Sequence, residues 1–74
     1  MNNLTKTWSL FDRNFHRVAK NIVNQNSLPE VARPWFEDFA GDPLVQSALQ
    51  DLKTTGPRQK RALDYLGLDL VPAM

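Results

Sequence analysis

The chain has 74 residues, 42 % of them hydrophobic, with nine Lys and Arg against eight Asp and Glu, one His and no Cys. These numbers allow one small domain of marginal stability. They exclude disulfides, thiolate metal sites and a multi-imidazole metal site within one chain. Domains this small usually recruit a staple, so well-packed helices, a protein partner or a homodimer is expected.

Charge is distributed unevenly along the chain. Residues 1–24 carry Lys6, Arg13, Arg17 and Lys20 against Asp12, a net of +3. Residues 25–52 carry Arg33 against Glu30, Glu37, Asp38, Asp42 and Asp51, a net of −4. Residues 53–74 carry Lys53, Arg58, Lys60 and Arg61 against Asp64 and Asp69, a net of +2. Such a layout is satisfied within the fold, across a dimer, or by partners of opposite sign. No apolar run approaches the roughly 18–20 residues that span a bilayer. The start, Met1-Asn2-Asn3-Leu4-Thr5-Lys6, lacks the features of a secretory signal, so a cytoplasmic location without a membrane partner is expected.

In chain order, Ser9 with Asp12 three residues later resembles a capping box. Phe11, Phe15, Val18, Ala19 and Ile22 then form one stripe at helical spacing, which Trp8 joins if the helix starts a turn earlier. Arg13, Arg17 and Lys20 lie opposite, joined by Lys6 under the same condition. The spacing predicts a first helix with an aromatic inner face and a basic outer face. Ser27-Leu28-Pro29-Glu30 predicts the next start, and Pro34 shortens or kinks that helix. Gly41 is the expected left-handed cap after Phe39-Ala40. Asp42-Pro43 opens a third helix, with Leu44, Val45, Ala48, Leu49 and Leu52 inward and Lys53 in its last turn. After Thr54-Thr55-Gly56, Pro57 opens a final helix, with Ala62, Leu63 and Leu66 inward and Gly67 as its stop. The apolar tail from Leu68 to Met74 is expected as an extended strap. The predicted class is all-α: one domain, a small bundle of four to five short helices with an extended apolar C-terminal tail.

Catalytic chemistry finds little to work with. His16 is the sole imidazole, projected to the flank of the first helix, and of the three serines Ser9 and Ser27 serve as caps while Ser47 faces solvent. Glu37, Asp38 and Asp42 lack the ligand spacing of a calcium loop and read as solvated acids near helix ends. Gly41, Gly56 and Gly67 are isolated, so no phosphate-cradling loop exists. Neither enzymatic activity nor any cofactor or metal is expected.

Two binding classes remain. Residues 43–66 read helix, turn, helix, with Arg58, Lys60 and Arg61 in the first turn of the second helix. A helix-turn-helix places basic side chains there against bases and phosphates. The turn residues do not follow that motif's usual order, and the acidic middle repels phosphate. Protein binding is the favoured class. Trp and Arg dominate interface hot spots, which nominates Trp35, Phe36, Arg33 and Trp8 as partner-binding residues. Phe36 and Phe39 are also expected to help close the core.

Two segments resemble replication proteins. Thr7-Trp8-Ser9-Leu10-Phe11 resembles the bacterial sliding-clamp-binding peptide at its last three positions, with Thr7 where the leading Gln belongs. Pro29-Glu30-Val31-Ala32-Arg33-Pro34-Trp35-Phe36 is similar to a segment of the theta subunit of bacterial DNA polymerase III in the pattern P-E-x-x-R-x-W-F. These resemblances imply a small replication accessory protein. From the residues themselves, the expected function is a small non-enzymatic regulator, inhibitor or accessory subunit that occludes or bridges a partner protein. Its compact form suits a phage- or mobile-element-encoded modulator, and the alternative is a dimeric helix-turn-helix-like DNA-binding regulator.

Overall fold

In the computed structural model, which describes residues 7–72, the segment expected as the first helix is a β-hairpin. Strand β1 spans Trp8–Phe11 and strand β2 spans Arg17–Ile22, paired antiparallel. Lys6, expected on the basic face, and Ala73 and Met74 of the tail lie outside the described residues.

Asp12 builds the reversal. Its carboxylate accepts the backbone N–H groups of Asn14 and His16, both at 2.9 Å. The Phe15 N–H donates to the Asp12 carbonyl at 3.1 Å, and the Asp12 N–H donates to the His16 carbonyl at 3.0 Å. Asp favours the first position of such a turn because its side chain reaches the backbone two residues on. The acid expected to close a capping box with Ser9 therefore closes a three-residue hairpin loop. Phe15 leaves the turn in the left-handed region, at φ 62°. For a bulky L-residue this costs on the order of 1–2 kcal/mol.

Two bulges in β2 explain why the hairpin imitates a helix. From Trp8↔Ile22 to Leu10↔Ala19, and again to Phe11↔Arg17, β2 carries one residue more than β1. Asn21, at φ 57°, lies in the first bulge. Each extra residue shifts the side-chain alternation by one. Val18, Ala19 and Ile22 consequently all meet the core, and their spacing is that of a helical stripe.

Strand β3, Asp69–Pro72, pairs antiparallel along the other side of β1, with Leu10 opposite Leu70 and Ser9 opposite Val71. The sheet order is β2-β1-β3. The all-α bundle is thus corrected to a mixed fold, with three helices and a three-stranded antiparallel sheet among the described residues, and Asp69–Pro72 of the tail is a strand of that sheet.

Helix α1 is short, Leu28–Ala32. Ser27 makes no side-chain cap bond to it; its hydroxyl donates to the Asn24 carbonyl at 2.7 Å. The Asn24 side chain caps the preceding 3-10 turn through the Asn26 N–H at 2.9 Å. Arg33–Phe39 continues as a tight 3-10 segment; Arg33 before the proline stays helical (φ −53°, ψ −43°), and the break falls at Phe36 (φ −126°, ψ 29°), two residues beyond the expected position. Gly41 does not adopt a positive φ, so it is not the left-handed cap expected of it.

Helix α2 spans Pro43–Asp51, and the Asp42 carboxylate caps it as predicted, accepting from Leu44 and Val45 at 2.9 and 3.4 Å. Lys53 lies beyond its end. Helix α3 spans Pro57–Leu66. Gly56 precedes it at φ 81°, ψ −150°, a region essentially restricted to glycine. Gly67 ends it in the left-handed conformation, as predicted.

The helices cover the sheet face that carries Leu10. Leu10, Leu28, Leu49 and Leu52 are sealed from solvent, and among the described residues no polar side chain is buried with them. Leu10→Ala should cost about 2–5 kcal/mol in denaturant unfolding, while Ser9→Ala on the opposite sheet face should stay within about 0.5 kcal/mol. Equal effects would contradict the register. The two N–H bonds hold the Asp12 carboxyl below its ordinary value of 3.8, the His16 amide contributing most. Ionised Asp12 therefore supports the hairpin above that pH and releases it as pH falls through the lowered value. The amide resonances of Asn14 and His16 should shift together with a midpoint below 3.8. A common midpoint at or above that value would contradict the cap.

Candidate interaction surface

The kink at Phe36 sends adjacent aromatic side chains in different directions. Phe36 is half-buried and packs on the core, whereas Trp35 is 49 % exposed. Phe39, expected in the core, is 50 % exposed and meets only the edge of it through Phe36, at 6.5 Å between ring centroids and 53° between planes. Arg33 is exposed beside them. Trp8, nominated as a partner anchor, is half-buried against the core.

The basic residues do not form one face. Arg13 sits in the hairpin loop, while Arg17 and Lys20 are exposed on β2. Arg58, Lys60 and Arg61 are exposed on α3, but helical spacing sets Arg58 and Arg61 on one side and turns Lys60 away. Among the described residues the one acid–base side-chain contact within 4.0 Å is His16 Nδ1 with Asp12 Oδ2, at 3.4 Å, with the His16 side chain exposed. The alternating charge blocks are therefore not consumed by ion pairs within the fold.

Two open grooves meet at Tyr65. One, of about 390 Å³, is walled by Arg13 and Asn14 of the hairpin loop, Trp35 and Phe36 of the kink, and Tyr65 to Leu68 at the end of α3. The other, of about 240 Å³, runs between α2 and α3 and is lined by Leu44, Asp51, Arg58, Arg61 and Tyr65. Arg13 closes the junction by lying across the backbone of Gly67, where a Cβ would fall 2.7 Å from its Nε. Trp35, Tyr65 and Leu44, with Arg13, Arg58 and Arg61 around them, form a strip of exposed apolar surface bordered by guanidinium groups.

Sequence reasoning found Trp35, Arg13, Arg58 and Arg61, expected Leu44 inward where it is exposed, and passed over Tyr65. Its signal was available: Arg58, Arg61 and Tyr65 fall at i, i+3 and i+7, one face of α3. Nothing brings the predicted Trp8 to this surface. Among the described residues no cluster of three or more His, Asp or Glu side chains is placed to hold a metal ion, and no helix is long and apolar enough to cross a membrane.

No protein-family model, curated protein or solved structure matches the chain. The resemblance at Thr7–Phe11 falls almost wholly on β1, where Leu10 is sealed and hydrogen-bonded strands flank both edges. A short docking peptide needs free edges and exposed anchors, which this segment lacks. The eight-residue resemblance spans α1 and the kink, leaving Arg33 and Trp35 exposed.

Trp35 and Phe36 separate surface from core. Trp35→Ala should lower stability by about 1 kcal/mol or less, and Phe36→Ala by about 2–3 kcal/mol. The reverse order in thermal unfolding would assign Trp35 to the core.

Proposed function

We propose that this protein acts by binding another protein, as a small non-enzymatic regulator, inhibitor or accessory subunit that occludes or bridges its partner. The observation that carries this reading is the Trp35–Tyr65–Leu44 strip with its guanidinium border, which forms no ion pair among the described residues. Exposed aromatics ringed by Arg are the composition of interface hot spots, where apolar anchors supply affinity and charge sets orientation and on-rate. Trp35 and Tyr65 are both exposed, which leaves their rings accessible to a partner.

A DNA-binding reading keeps one supporting observation. Helices α2 and α3 follow each other across a short turn, and Arg58, Lys60 and Arg61 are exposed in the first turns of α3 with no carboxylate of the described residues within ion-pair distance. The division of those cations between two sides of α3, and the aromatic strip beside Arg58 and Arg61, favour a protein surface.

The two readings part in one experiment. Affinity capture from the native host should retain a specific protein that is lost with Trp35→Ala and with Tyr65→Ala, while both variants keep thermal stability near wild type. Retention of the same protein by both variants would overturn the site. A duplex-DNA shift whose log K against log salt slope falls by about 0.9 per cation neutralised in α3 would instead establish the DNA reading.

A further inference from the structure

The hairpin tip presents an aromatic side chain in a conformation its sequence does not favour. Phe15 has φ 62° and is 81 % exposed. Asn or Gly would satisfy that backbone with less strain, so packing within the chain does not account for a phenyl ring there. The loop is also held firmly, because the two Asp12 carboxylate bonds and the two backbone bonds between Asp12, Phe15 and His16 fix its shape. Residues kept in strained conformations by their surroundings concentrate at functional sites. Two residues before and after Phe15, Arg13 and Arg17 are exposed, with no carboxylate of the described residues within 4.0 Å.

The complementary feature lies on the same chain. A groove of about 350 Å³ between α1, the kinked 3-10 segment and α2 has an apolar floor that includes Pro34, Phe36 and Ala40. Glu30 and Glu37 stand on its rim against the single cation Arg33. Phe36 also walls the groove beside Arg13 and Asn14, so the hairpin tip and this acidic-rimmed groove border a common residue.

We propose that the occupant of this groove is the hairpin tip of a second copy of the chain. The Phe15 ring of each copy enters the groove of the other, bringing Arg13 and Arg17 toward Glu30 and Glu37. The choice of a second copy rests on charge complementarity: the tip carries Arg13 and Arg17 against Asp12, whereas Glu30 and Glu37 outnumber Arg33 along the groove. About a two-fold axis the exchange is reciprocal and closes as a pair. Self-association also supplies the staple that a domain of this size lacks.

The test uses the full chain by itself, in sedimentation equilibrium from about 10 µM to about 1 mM at low salt, a range suited to an interface of modest size. The mass should rise with concentration toward twice the 8.5 kDa of one chain and fall back on adding salt. Phe15→Asn should stay monomeric throughout with a Tm at or above wild type, since Asn tolerates the left-handed backbone. Arg17→Glu and Glu37→Lys should each be monomeric alone and associate when mixed, because each then carries a tip matched to the other's groove. A constant monomer mass for the wild type would overturn the proposal. So would undiminished association of Phe15→Asn, or a charge-reversed pair that fails to associate on mixing.

Discussion

The burial of Leu10 in the middle strand is the constraint on which the rest of the structure depends. β1 is only four residues long, yet it hydrogen-bonds to β2 on one side and β3 on the other. Its inward side chain, Leu10, faces Ala19 and Leu70 across the sheet and joins the leucines of the helical layer. The pairing with β3 connects residue 8 to residue 72, so the whole helical layer is enclosed between partners of one strand. Such a long-range contact is costly in chain entropy and must be repaid by apolar burial. Once formed, it fixes the hairpin tip and the end of α3 on the same side of the molecule.

That placement creates the proposed interaction surface. The hairpin loop delivers Arg13 onto Gly67, the kink delivers Trp35, and α3 delivers Tyr65. No one of these segments is a binding motif alone. The kink matters because Phe36 anchors it from within while Trp35 stays outside. The charges follow the same logic. With one His–Asp contact as the sole acid–base pair within 4.0 Å among the described residues, the alternating blocks of the sequence remain available for intermolecular contacts.

Much of the helical half was legible in the residues. Asp42-Pro43 announced α2, Pro57 announced α3, and Gly67 ended it, because caps and breakers act through local backbone chemistry that neighbours rarely override. The sheet half was not legible, for two physical reasons. The bulges in β2 replace strict alternation by a one-and-three spacing that a helix would also produce, and the turn carries Phe15 where Gly or Asn would mark a hairpin. β3 is too short, and ends on a proline, to show any period. Its state is set by the free edge of β1, which is tertiary context. The β-branched and aromatic content of residues 8–22 was the available counter-signal. For the site, Trp35 and the arginines were visible as residue types, but their meeting at Tyr65 follows only from the fold.

The central claim is that residues 8–22 form a hairpin whose first strand is shared with the chain's last strand. Through-space proton contacts in solution test it most directly. The account predicts cross-strand contacts between Leu10 and Leu70 and between Leu10 and Ala19, together with strong sequential Hα–HN contacts along β1. Medium-range Hα to HN contacts three residues apart running from Ser9 through Ile22, with none reaching residues 69–72, would contradict it and restore the helix.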